Sequence, residues 1–190
     1  MSALERGFTL PEMMLAITFG TVITLAAAKT LPILRQQALE SSRHHRLVLA
    51  LQQAAFAISK DLQRSGFCAG HCQGRALLIS QLAGEATNSC VIIAYDLNRN
   101  GQWEPSGEAD YFGYRLRAGA LETQRGVSHC QGSGWERLLD QEEVTLSTFT
   151  LQMLNSDQSQ RVLQLDLAGH ATTQQKISHR LRWLVRVGAT

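Results

Sequence analysis

The chain has 190 residues, a net charge of +2, and 44% hydrophobic but only 6% aromatic residues. That length suits one domain with a sizeable core, or a domain behind an N-terminal element. With both charge signs interspersed and no basic block, the composition sets nucleic-acid binding aside, and the low aromatic content argues against a module built on aromatic platforms.

The first predicted element is an apolar helix. Its uncharged run, from Met13 to Ala28, is 16 residues long. A spanning helix needs about 20. Extension from Phe8 to Leu34, with Lys29 snorkelling, supplies the length. A cleaved secretory signal fits poorly, because Lys29 and "TLPILRQQALE" read on as helix. Within this anchor Glu12 is the anomaly. A carboxylate at membrane depth is costly and reads as functional; the bland alternative puts Glu12 at headgroup level. Pro11 lacks a backbone donor, which is harmless only in a first helical turn, and it pushes Leu10 away from helical geometry. The helix is therefore expected to start between Phe8 and Pro11.

From Arg35 to Arg64 the pattern stays helical. Leu47, Leu51, Ala54, Ile58 and Leu62 recur at spacings of three and four, and Gly66 is a natural terminator. One helix from Phe8 to Ser65 would be about 85 Å long. His44 and His45 read as solvated.

Four cysteines follow: Cys68, Cys72, Cys90 and Cys130. With export implied, two disulfides are favoured and three pairings are open, one of them joining Cys68 to Cys72 and Cys90 to Cys130. The competing reading is a zinc site from Cys68, His71 and Cys72, weakened by the lack of a CxxC knuckle or a second close pair.

The remainder reads as strands at 90–96, 110–117, 120–126, 144–154 and 161–169. In a last strand Leu181, Trp183, Val185 and Val187 alternate with Arg180, Arg182 and Arg186, a half-buried strand with a solvated or edge-protecting arginine row. Between the first two strands, "DLNRNGQWEPSGEAD" places Asp96, Asn98 and Asn100 at alternate positions before Gly101, with the Gln102 carbonyl next. This is the first half of a calcium loop, which Glu108 or Asp110 would have to close; the alternative is a hairpin turn requiring no metal. No nucleophile elbow, phosphate loop or HExxH occurs, and Glu142 and Glu143 at a strand start would point to opposite faces. The chain is expected not to be an enzyme and to require no cofactor.

"RGFTLPE" (6–12) resembles the class III signal of type IV prepilins. The resemblance implies a leader, residues 1–7, removed between Gly7 and Phe8 by prepilin peptidase, which then methylates the new amine of Phe8. Glu12 would contact the amine of a neighbouring subunit. Pro11 departs from the pattern, which has leucine, isoleucine or valine there. "GFCAGHCQG", "CVIIAYDLNRNGQWE", "YFGYRL", "LETQRG" and "SGWERL" look like the prepilin peptidase-dependent protein B family of minor pilins, related to J-type pseudopilins. This similarity runs from Arg6 to about Leu139.

The resemblance implies a pilin-like α+β fold. A transmembrane segment (8–34) continues as helix (35–65) onto an antiparallel β-sheet domain (66–190). It implies a subunit of the inner membrane, with its domain in the periplasm, that joins other minor pilins and the major pilin on the inner-membrane assembly platform. There it would prime type IV pilus assembly and end at the pilus tip. The alternatives are a minor pseudopilin of a type II secretion system and a non-polymerising, membrane-anchored periplasmic calcium-binding or adhesive protein.

Overall fold

A computed structural model describes residues 7, 9–106, 109–155 and 161–188. In chain order the elements are α1 (Leu10–Arg64), β1 (Leu77–Ser80), β2 (Cys90–Ala94), β3 (Tyr111–Arg117) and β4 (Ala120–Arg125). There follow β5 (Glu136–Arg137), β6 (Val144–Asn155), β7 (Val162–Ala171) and β8 (Gln174–Arg186). This is the α+β architecture expected: one long N-terminal helix and antiparallel strands.

The chain divides into two units, residues 1–42 and 43–190. In the first, the apolar residues of α1 from Met13 to Leu39 are exposed, and the helix is long and apolar enough to cross a membrane. Its threonines return their hydroxyls to the preceding turn: Thr18 to Leu15, Thr21 to Thr18, Thr24 to Gly20 and Thr30 to Ala26. Polar side chains satisfied within their own helix suit hydrocarbon surroundings. Pro32 lies inside the helix and leaves the Ala28 carbonyl without its usual donor.

In the second unit, Leu47, Leu51, Ala54, Ala55, Ile58 and Leu62 form the buried face of α1, the stripe that the three-and-four spacing predicts. They share one core with Val91, Ile93, Leu116 and Leu121 on one side and Phe149, Leu151, Leu165 and Val185 on the other. Each large side chain so buried contributes about 1.5–3 kcal/mol. The helix stops at Arg64, and Gly66 follows at φ 84°, a left-handed position that glycine takes without strain.

The antiparallel strands fall into two sheets. β1 to β5 form a five-stranded antiparallel sheet in chain order, and β6 to β8 a three-stranded one. They touch through loop ends instead of a shared ladder: the Leu146 amide donates to the Gly119 carbonyl at 2.8 Å, and the Leu151 amide to that of Asn88 at 3.0 Å. β2 is buried on both faces. Val91 and Ile93 face the main core, while Cys90 and Ile92 join Val127, Cys130 and Trp135 in a second cluster. The 127–135 loop that covers this outer face is pinned by the Cys90–Cys130 disulfide and by Arg115, which is 1% exposed. The Arg115 guanidinium donates to Glu122 at 2.7 Å and to the carbonyls of Cys130 and Gly132 at 2.8 and 3.2 Å, and lies over the Trp135 ring.

β8 has the alternation expected of it, with Leu181, Trp183 and Val185 packed inward and Arg180, Arg182 and Arg186 exposed. Arg182 pairs with Asp166 at 3.2 Å. The expectation for Glu142 and Glu143 is corrected. Both lie in the turn before β6 and line one cleft beside Arg43 and Arg46, because turn geometry removes the two-residue alternation of a strand.

Candidate functional site

The N-terminal turn is built on Thr9. Its carbonyl accepts the amide of Met13 at 3.2 Å, making it the cap of α1, and Pro11 falls in the first turn, where its missing donor has no helical partner. Glu12 Oε2 accepts the Thr9 amide at 2.9 Å and the Thr9 hydroxyl at 2.7 Å. This is the back-bond of a capping box, glutamate at N3 reaching the cap residue. Thr9 has a role that sequence reasoning missed, although the T-x-x-E spacing in "TLPE" signals it. Gly7 is exposed, and Phe8 lies outside the described residues.

The second constellation joins two loops, 66–74 and 96–110. Among the three pairings left open, the structure has Cys68–Cys72 and Cys90–Cys130. Sulfurs bonded to each other are not thiolate ligands, so the zinc reading of Cys68, His71 and Cys72 does not describe this state.

Asp96 and Asp110 are 1% and 0% exposed. Asp96 Oδ1 accepts the amide of Asn100 at 3.1 Å, while Oδ2 accepts those of Gly101 at 2.9 Å and, from the disulfide loop, Ala69 at 3.0 Å. Asp110 Oδ1 accepts the Leu97 amide at 2.9 Å and Oδ2 the Glu104 amide at 3.1 Å. The side-chain oxygens of Asn98 and Asn100 accept the amides of Asn100 and Gln102. Burial pushes the Asp96 carboxyl up, but the amides of Ala69, Gly101, Asn100 and Arg99 outweigh it and hold it below the ordinary carboxylate range.

The structure thus gathers Asp96, Asn98, Asn100, Gln102 and Asp110 in one loop, with the side-chain oxygens of Asp96, Asn98, Asn100 and Asp110 aimed at backbone amides. Glu108 lies outside the described residues. Glu104, ninth from Asp96, was missed: its Oε2 accepts from Asn100 Nδ2 at 3.1 Å. The loops approach so closely that a Cβ on Gly70 would lie 2.8 Å from Gly101 Cα. Three further bonds cross between them: from the His71 amide to the Gly101 carbonyl and from the Trp103 indole to the Phe67 carbonyl, each at 3.1 Å, and from the Asp96 amide to the Phe67 carbonyl at 2.9 Å.

A single long N-terminal helix, apolar and uncovered at first and then packed on antiparallel sheets, is a pilin-like α+β fold. Residues 40–187 match the model of the prepilin peptidase-dependent protein B family. The protein of that name from Escherichia coli K12 is 37% identical over 147 residues, 76% of each chain. This chain belongs to the prepilin peptidase-dependent protein B family. An uncharacterized protein of Haemophilus influenzae is 25% identical over 185 aligned positions, covering 72% of this chain and 76% of that one. Among solved structures, a type IV-like pilin from Thermus thermophilus aligns with a TM-score of 0.49 at 14% identity, over 75% of this chain and 97% of its own.

Proposed function

We propose that this chain is a minor pilin of the inner membrane, cut between Gly7 and Phe8 by prepilin peptidase and methylated on the new amine of Phe8. With its domain in the periplasm, it joins other minor pilins and the major pilin on the assembly platform, primes a type IV pilus and ends at its tip. The role is structural and not enzymatic.

The observation that carries this reading is Glu12, a carboxylate in the first turn of a membrane-length apolar helix whose bonds are both to Thr9. An ionised group at that depth is costly, and the positive amine of a neighbouring Phe8 offsets the cost. Family membership supports the pilin class independently, since the matched region begins at residue 40 and owes nothing to the leader motif.

The test is the intact mass of protein extracted from membranes. Loss of residues 1–7 with the gain of one methyl group is expected; retention of all 190 residues overturns the reading. Deletion should abolish piliation and leave protein secretion intact, whereas the reverse phenotype would make the chain a pseudopilin.

A further inference from the structure

We propose that the paired loops carry a binding site for a neutral sugar, one pyranose unit of a glycan, in the cleft lined by His71, Gln73, Gln102 and Trp103. The cleft holds about 320 Å³, small-molecule size.

The bonds that shape it do little for the core. The Cys68–Cys72 disulfide, the Ala69 bond to Asp96, the His71 bond to Gly101 and the Gln102 bond to Asn100 all fix loop backbone whose side chains at 71, 73 and 102 are exposed. The Gly70–Gly101 approach locks the two backbones at the same place. What this fixes is where four side chains begin. Preorganised donors and acceptors lose less entropy when a ligand binds.

The chemistry of the lining selects the ligand class. The Gln73 and Gln102 amides and the His71 imidazole make no side-chain hydrogen bond among the described residues. Each amide offers a carbonyl and two N–H donors, a match for neighbouring hydroxyls that both donate and accept. Trp103 is half-buried; its indole N–H is taken by the Phe67 carbonyl and a Cβ on Gly74 would lie 3.9 Å from its ring edge, so the ring has little room to swing and offers an apolar wall for sugar C–H groups. The lining has no carboxylate, guanidinium or ammonium group among the described residues, which favours a neutral ligand over an acidic one. The inference does not depend on the pilus reading, because an uncleaved, non-polymerising protein would carry the same cleft.

The experiment uses the full chain as purified from membranes, held in an amine-oxide detergent to avoid sugar headgroups. Saturation-transfer NMR is run with the methyl glycosides of glucose, galactose, mannose and N-acetylglucosamine, and with methyl glucuronide as the charged control. At least one neutral glycoside should show transfer and the glucuronide none. Gln73→Ala and Gln102→Ala should each weaken binding about tenfold, with unchanged melting, since each removes a hydrogen-bonding amide that the fold does not use. No transfer from any neutral glycoside overturns the proposal, as does transfer indifferent to both substitutions. Should no glycoside bind while the same substitutions disrupt co-purification with neighbouring subunits, the cleft is a subunit contact and the sugar site is refuted.

Discussion

Tyr114 donates its hydroxyl to Asp61 Oδ2 at 2.5 Å across the core, and Tyr95 donates to Oδ1 of the same carboxylate at 3.1 Å. One residue of α1 thereby clamps the helix to β3 and to the end of β2. Burial, then the charge of Asp61, push Tyr95 up to about 12 and Tyr114 higher still, so both remain donors near neutral pH. Asp61→Ala leaves two hydroxyls without an acceptor and should lower stability by about 2–4 kcal/mol in urea melts. Asp61→Asn, keeping one acceptor oxygen, should cost about half as much. An alanine variant as stable as the parent would mean that the clamp contributes nothing.

Asp96 predicts an acid limb in stability. Its folded value is depressed by amide donors, while an unfolded aspartate takes up its proton near pH 4. The stabilisation is thus present above about pH 4 and disappears as pH falls through the lower folded value. Melting temperatures from pH 7 to 2.5 should decline in that acid range, and Asp96→Asn should flatten that part of the curve. An unchanged acid limb in the asparagine variant would place its origin elsewhere.

The same donors bear on calcium. Both Asp96 oxygens already accept amides, and the asparagine oxygens do too, so each has a donor within the protein itself. No change in melting is expected at 10 mM calcium. A site with a dissociation constant of about 10⁻⁴ M would instead add about 2.7 kcal/mol, and chelator would reverse it.

The two disulfides should contribute unequally. Cys90 and Cys130 are 40 residues apart in sequence and Cys68 and Cys72 only 4. By loop closure, replacing the first pair with alanine should cost about 4 kcal/mol and the second about 2 kcal/mol. Burial adds an order of reduction: Cys90 and Cys130 are 0% and 3% exposed, and Cys68 and Cys72 are half-buried. Mass analysis after mild reduction should find Cys68 and Cys72 alkylated first. Equal labelling of both pairs would contradict it.

The helix stripe was legible because Leu47 to Leu62 sets a period that burial follows directly, and β8 because Leu181, Trp183 and Val185 alternate with exposed residues between Arg180 and Arg186. β1 and β5 were missed. One is four half-buried residues without alternation, the other only two residues, and both exist through pairing to distant strands, Leu77 with Ile93 and Glu122 with Arg137. The split into two sheets is likewise non-local. In the site, the loop spacing named residues that share one loop, but nothing in the spacing says whether an oxygen faces an ion or an amide. Thr9 and Glu104 were overlooked where the local pattern did carry a signal, one in a capping box and one at the ninth loop position.

Arg115 has a consequence for how this surface can vary. Its guanidinium measures the 127–135 loop, gripping the carbonyls of residues 130 and 132 while the Cys90 bridge fixes residue 130. An insertion inside that span would slide a carbonyl off a buried cation, whereas Ser128 and Ser133 stand exposed and open to replacement. Relatives that diverge on this face should therefore do so by changing side chains at constant loop length, keeping the spacing from cysteine to tryptophan while exchanging what lies between.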